Sequence, residues 1–142
     1  MSASLSDILT ALKNGVVALG DNSRFTQIIA NLLSIAGGIT RISQATMTTG
    51  YVAVYTCPVG QRAAVVDMNI CNTTGSPIGI YINMVPNGAT PTASNAIFFN
   101  ASLPAYSTMQ WTGSIAMTQG DTIQIKASAT GCTFTASGGS LA

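Results

Sequence analysis

The sequence contains no histidine and no glutamate. Without histidine there is no Ser-His-Asp or Cys-His nucleophile, and no imidazole to complete a zinc site. Acid chemistry falls to Asp7, Asp21, Asp67 and Asp121, and paired-carboxylate hydrolysis would need two of them facing one cleft. Asp7 and Asp21 belong to helix starts or a turn. Asp121 follows Gly120 in a tight turn, where aspartate is favoured for the hydrogen bonds it makes to nearby backbone. Asp67 lies mid-strand on a polar face, where it could pair with Arg62, Lys126 or a neighbouring chain. The four acids are too dispersed for calcium. Neither Lys13 nor Lys126 follows a Ser-x-x-Lys spacing, and no P-loop or dinucleotide fingerprint is present. No catalytic, cofactor-binding or metal-ligating residue is therefore expected, no cofactor, and no enzyme activity.

Charge is scarce as well. Only 6% of residues are charged, against about 25% in an average soluble protein. Lys13, Arg24, Arg41, Arg62 and Lys126 are scattered and the net charge is +1, so there is no basic stripe for nucleic acid. No apolar run is long enough to span a bilayer, and no membrane insertion is expected. Ser4-Leu5-Ser6-Asp7 reads as a helix-capping start rather than a signal peptide, so release by lysis or within an assembly is the expected route out of a cell. Hydrophobic residues make up 47% and the mean hydropathy is +0.42, enough for a real core. Thr, Ser, Asn, Gln, Gly and Ala stand where charge usually does. A surface so poorly protected against self-association is either covered by other chains or a Thr/Ser coat that is soluble outside a cell.

The cysteines, Cys57, Cys71 and Cys132, have no zinc-site spacing. Buried free thiols, one disulfide plus a free thiol, and a bond between chains all fit an odd count.

Residues 1–45 read as helical. Leu5, Ile8, Leu12, Val16 and Leu19 recur every three or four positions on one face, with Ser4 or Ser6 as N-cap and Asp7 in the first turn. Gly20-Asp21-Asn22-Ser23 breaks the pattern. Phe25, Ile28, Leu32, Ile35 and Ile39 then form an a/d stripe of about two heptads, which Gly37-Gly38 ends or loosens. Short helices must bury such a face somewhere. A bundle shared between identical chains, for anchoring and oligomerisation, and a hairpin packed on its own domain are the two outcomes. Residues 41–50 lose the helical period and read as a Thr-rich linker.

Residues 46–142 read as an antiparallel β-sandwich, jelly-roll-like, of seven or eight short strands separated by turns. Tyr51 to Cys57 alternates. Arg62 to Asn72 places Ala64, Val66, Met68 and Ile70 on one face, with Asp67 and Asn69 on the other. Ile78, Ile80, Ile82 and Met84 alternate with Gly79, Tyr81 and Asn83. Ile97, Phe99 and Ala101 start another strand, and Met109 and Trp111 a further one. Ile115 to Met117 reads as a short separate strand. Ile123, Ile125 and Ala127 alternate with Thr122, Gln124 and Lys126, and Cys132, Phe134 and Ala136 precede a glycine tail. Trp111 is in phase with Met109 and reads as core, whereas Tyr81 reads as outward. Tyr51, Tyr55, Tyr81, Tyr106 and Trp111 could stack on sugar rings if they shared a surface. Asn72-Thr73-Thr74 and Asn100-Ala101-Ser102 fit the glycosylation sequon, a motif common by chance.

The stretch Tyr55-Thr56-Cys57-Pro58-Val59-Gly60-Gln61-Arg62-Ala63-Ala64-Val65-Val66, the turn Asn72-Thr73-Thr74, Leu103-Pro104-Ala105 and Gln119-Gly120-Asp121-Thr122-Ile123 resemble small tailed-bacteriophage virion proteins built as a helical N-terminus plus a β-sandwich. Ile8-Leu9-Thr10-Ala11-Leu12-Lys13-Asn14 is similar to the start of many phage structural proteins. The resemblance implies a homo-oligomer, a trimer, attached to other virion proteins of the capsid, collar, neck, tail or baseplate, and assembled in the host bacterial cytoplasm. It supplies no catalytic residues. A carbohydrate- or surface-binding β module, with a host-surface glycan as partner, is the alternative reading. With no long shaft repeats, a head or neck decoration or fibre is expected over a tail-fibre or baseplate component.

Overall fold

Alternating β-rich segments between Gly, Pro and Asn turns become eight strands in the computed structural model, which describes residues 5–10 and 39–141. The chain divides into two compact units, Met1–Gly38 and Ile39–Ala142. In the first, residues 5–10 are helical, and the Thr10 hydroxyl donates back to the Ser6 carbonyl at 2.9 Å. Leu9 is buried, while Leu5 and Ile8 are 50% and 47% exposed. The stripe residues Leu12, Val16, Leu19, Phe25, Ile28, Leu32 and Ile35 lie outside the described residues.

The second unit holds β1 (Thr40–Thr46), β2 (Val52–Thr56), β3 (Arg62–Asn72), β4 (Ile78–Val85), β5 (Ala96–Leu103), β6 (Thr108–Met117), β7 (Thr122–Ala127) and β8 (Cys132–Leu141). One sheet has the order β1-β8-β3-β6 and the other β2-β7-β4-β5. Pairing is antiparallel and nested: β4 with β5, β3 with β6, β2 with β7 and β1 with β8. This is one long hairpin, closed at β4–β5 and rolled so that β3 meets β8 and β4 meets β7. It is the jelly-roll arrangement of eight strands. The rolled form is favoured because each strand has one apolar face, and two sheets bury those faces against each other.

Phe134, Met68, Ile70, Ile80, Ile82, Ile123 and Ile125 fill the space between the sheets and are fully buried. The alternation expected in β7 and β8 is realised, and in β4 as far as Ile82; beyond it Asn83 and Val85 are buried and Met84 is only partly so. Trp111 lies opposite Met68 and packs against the core from an edge strand, partly exposed.

Several expectations change. Residues 41–50 are not a linker, and the helical span does not reach 45: Thr40–Thr46 is an edge strand on β8, and the unit boundary falls at Gly38. Its two core-packed residues, Ile42 and Ala45, are three apart across a register shift at Arg41/Ser43, so no period-two alternation announces the strand. In β3 the inward residues before Asp67 are Ala63 and Val65, not Ala64 and Val66. A register shift against β8 leaves Val66 unpaired between Val65↔Gly138 and Asp67↔Ser137. One extra residue inverts the alternation on its N-terminal side. Ile115 to Met117 is no separate strand, because β6 runs through a bulge at Gly113-Ser114. The glycine tail is the body of β8: Gly138 lies between β1 and β3, and a Cβ there would run into the Ala64 carbonyl oxygen.

That contact makes Gly138→Ala destabilising by about 2 kcal/mol or more, since backbone must move to admit the methyl. Gly50→Ala, where nothing lies within 4 Å and no left-handed φ is recorded, is expected to stay within about 0.5 kcal/mol of the parent. Urea unfolding of the two variants checks the pair: equal midpoints would mean that β8 does not pass so close to β3.

Candidate functional site

The outer face of the second sheet carries its one concentration of aromatic and cationic side chains among the described residues. Register creates it. Tyr81 of β4 is directly opposite Lys126 of β7. Val52 pairs with Ile125, which brings Tyr51 alongside Lys126 from the other flank. On β5, Ala101 pairs with Ile80 and Phe98 with Ile82, so Phe99 and Asn100 together oppose the single residue Tyr81. This bulge, with Asn100 at φ 51°, turns Phe99 outward. The alternation Ile97, Phe99, Ala101 gives no sign of it. Phe98 packs against the core instead, and Phe99 is 61% exposed.

The result is a row across the strands, Tyr51, Lys126, Tyr81, Phe99. The Tyr81 and Phe99 rings are 5.5 Å apart and edge-on at 81°, and Tyr51 and Tyr81 are 6.4 Å apart at 77°. Both pairs have the geometry that ring quadrupoles favour. The Lys126 ammonium sits 4.5 Å from the Tyr81 ring centre and 5.2 Å from that of Tyr51, within cation–π range of both. Burial, then the neighbouring Tyr81, push Tyr51 above the ordinary phenol value, so it stays a neutral hydrogen-bonding phenol near neutrality. Tyr81 is outward as expected. Tyr55, Tyr106 and Trp111 take no part in these ring contacts.

Two polar hubs hold the loops at opposite ends of the sandwich. Asn72 is buried. Its Nδ2 donates to the carbonyls of Ser76, Leu103 and Pro104 at 2.8, 3.2 and 3.1 Å, and its Oδ1 accepts from the Thr74 amide and hydroxyl at 2.9 and 2.8 Å. A side chain so engaged is no acceptor for a glycan. At the other end, Asp121 accepts from the Thr118 amide at 2.9 Å, the Thr118 hydroxyl at 3.1 Å and the Asn87 amide at 3.0 Å. Gly120, at φ 85°, lets the turn close. Asp67 pairs with neither Arg62 nor Lys126: its carboxylate accepts from the amides of Asn69 and Gln110. Among the described residues no three His, Cys, Asp or Glu side chains gather as metal ligands, and no helix is long and apolar enough to cross a membrane.

All three cysteines are free thiols, so the disulfide left open by their odd count is not formed. Cys57 is buried at the Asp121 end, where its backbone bonds the β6–β7 turn, and Cys132 is buried at the start of β8. Burial, then the Asp121 carboxylate, raise the Cys57 thiol; burial, then Cys71, raise Cys132. Both are held protonated and inert.

No protein-family model matches the chain. No curated protein sequence matches it either. Among solved structures it is similar to a chain from "Structure of infectious bursal disease virus Gx strain", at 13% identity and a TM-score of 0.39, over 72% of this chain and 31% of that one. The chain thus spans about a third of that protein's length. None of these comparisons supports the bacteriophage resemblance of residues 55–66.

The Thr118 amide bond, opposed by burial and helped by the Asn87 amide and Thr118 hydroxyl, holds the Asp121 carboxyl below the ordinary carboxylate value. A group whose folded pKa is depressed stabilises fully above its unfolded pKa, about 3.9, and that contribution is lost as pH falls through the folded value. Asp121→Asn, which turns an NH2 toward a backbone donor, is expected to cost about 2 kcal/mol at pH 7. It should also flatten the fall of stability below about pH 4. Urea unfolding at stepped pH reads both; an unchanged acid slope would assign that titration to another group.

Proposed function

We propose that the chain is a structural subunit of a virion, working as a homotrimeric decoration or fibre protein on the capsid or neck of a bacteriophage. The observation that carries this reading is the pairing of a jelly-roll core with outer faces built from Thr, Ser, Asn and Gln in place of charge. On the first sheet, the outward residues of β6 include Thr108, Gln110 and Thr112, and those of β3 and β8 include Asn69, Thr133 and Thr135. Uncharged polar faces can be buried between subunits at modest desolvation cost when their hydrogen bonds are met. Charged faces could not be so buried without paired partners.

The apolar stripe that the sequence spaces from Leu5 to Ile35 supports the same reading, because the helical segment expected from it would have to bury that face. Two bonded hubs at the loop ends suit a subunit that presents fixed surfaces to its neighbours. The jelly roll is used in capsid proteins but also in lectins, and a fold does not by itself carry a function.

The full chain is expected to run as a trimer at micromolar concentration in sedimentation equilibrium. Residues 39–142 alone are expected to keep a β-rich circular dichroism spectrum and to run as a monomer. A strictly monomeric full chain would remove the oligomer, and an unfolded 39–142 fragment would assign residues 1–38 to covering the sandwich.

A further inference from the structure

We propose that the row Tyr51, Lys126, Tyr81 and Phe99 on the outer face of the second sheet is a binding site for an acidic saccharide. The inference does not rest on the virion reading: it concerns one face of the β unit, whatever that unit is attached to.

Three observations carry it. First, exposed rings offer apolar π-faces beside hydrogen-bonding groups. The aliphatic C–H face of a pyranose packs on such rings, while its hydroxyls need donors and acceptors at the margin. Phe99 is the accessible ring, and Tyr81 stands at 81° to it and forms a corner. Asn100 flanks the corner from the bulge, lying over Gly79, and Gln124 is the next outward residue along β7. Sites for small ligands pair apolar walls with a few placed polar groups in this way.

Second, among the described residues of the β unit the row has a cation without an anion. Both aspartates of the β unit are committed elsewhere, Asp67 to Asn69 and Gln110 on the other sheet, and Asp121 to Thr118 and Asn87. Lys126 is thus held over two rings in a chain with few charges, and its field is uncompensated locally. A carboxylate or sulfate on the sugar supplies the complement.

Third, the size and sign of the patch fit a small ligand better than a second copy. Three aromatic side chains, two of them already partly buried, offer far less than the roughly 800 Å² per partner of a standard interface. A two-fold contact of this patch with itself would also set Lys126 against its own mate, and like charges brought together repel.

The test uses the full chain and a panel of short hexuronate, sialylated and sulfated oligosaccharides, each beside its neutral methyl-ester or desulfated counterpart, by isothermal titration. At least one acidic member is expected to bind with a dissociation constant of about a millimolar or tighter, and at least about tenfold more tightly than its neutral counterpart. Phe99→Ala, an exposed truncation that should leave the thermal midpoint in place, is expected to weaken binding at least about tenfold. Lys126→Gln is expected to bring the acidic sugar down to the level of the neutral one and to leave the neutral one unchanged. Absence of binding across the panel would overturn the proposal. So would equal binding of acidic and neutral members. A drop in oligomer mass with Phe99→Ala would likewise overturn it, by giving the patch to a second copy.

Discussion

The contact between the two inner sheet faces is the interaction on which the β unit depends. Ile80, Ile82, Ile123 and Ile125 of one sheet meet Met68, Ile70 and Phe134 of the other. Burying a side chain of this size is worth about 1.5–3 kcal/mol relative to leaving it exposed, and no charge interrupts the layer. Closing it removes water from the strand ends, so the polar groups there must find partners within the protein. Asn72 at one end and Asp121 at the other meet that demand. Each ties two or more connections together, and each does so through backbone groups rather than through another charged side chain.

The same closure decides what the outside can be. With the apolar faces spent on the core, the opposite faces remain, and these are Thr, Ser, Asn and Gln almost throughout. The exceptions are Asp67 on the first sheet, bonded to Asn69 and Gln110, and on the second the row Tyr51, Lys126, Tyr81, Phe99, where rings and a cation break a neutral polar surface. An uncharged polar face is suited to contact with further copies, whereas a localised aromatic and cationic feature is suited to a specific ligand. One rolled hairpin can carry both because its two sheets turn their outer faces in opposite directions.

The fold class could be read from the chain because strand alternation has a period of two and the turns carry Gly, Pro, Asn and Asp. The inward faces of β7 and β8, and of β4 as far as Ile82, follow from their residues alone. Where a bulge intervenes, the alternation fails on one side of it. Val66 shifts β3, so Ala63 and Val65 point inward where Ala64 and Val66 were expected. The Phe99-Asn100 pair does the same to β5. Neither bulge has a signal in neighbouring residues, because a bulge is a property of two strands in register. β1 was hidden for the same reason: a register shift at Arg41/Ser43 sets its core-packed residues, Ile42 and Ala45, three apart, so the strand shows no period of two.

By itself, the sequence determined what kinds of chemistry were at hand: no histidine, no glutamate, four separated aspartates and an apolar–polar alternation that reads as an antiparallel sandwich. It also marked Tyr81 as outward. Tertiary structure alone decided which residues share a place. Tyr51, Tyr81, Phe99 and Lys126 are far apart in sequence, and only strand order and register set them in one row. The physical reason is that hydrogen-bond pairing between strands, with its bulges, is settled by the whole rolled hairpin at once, while side-chain alternation is settled residue by residue.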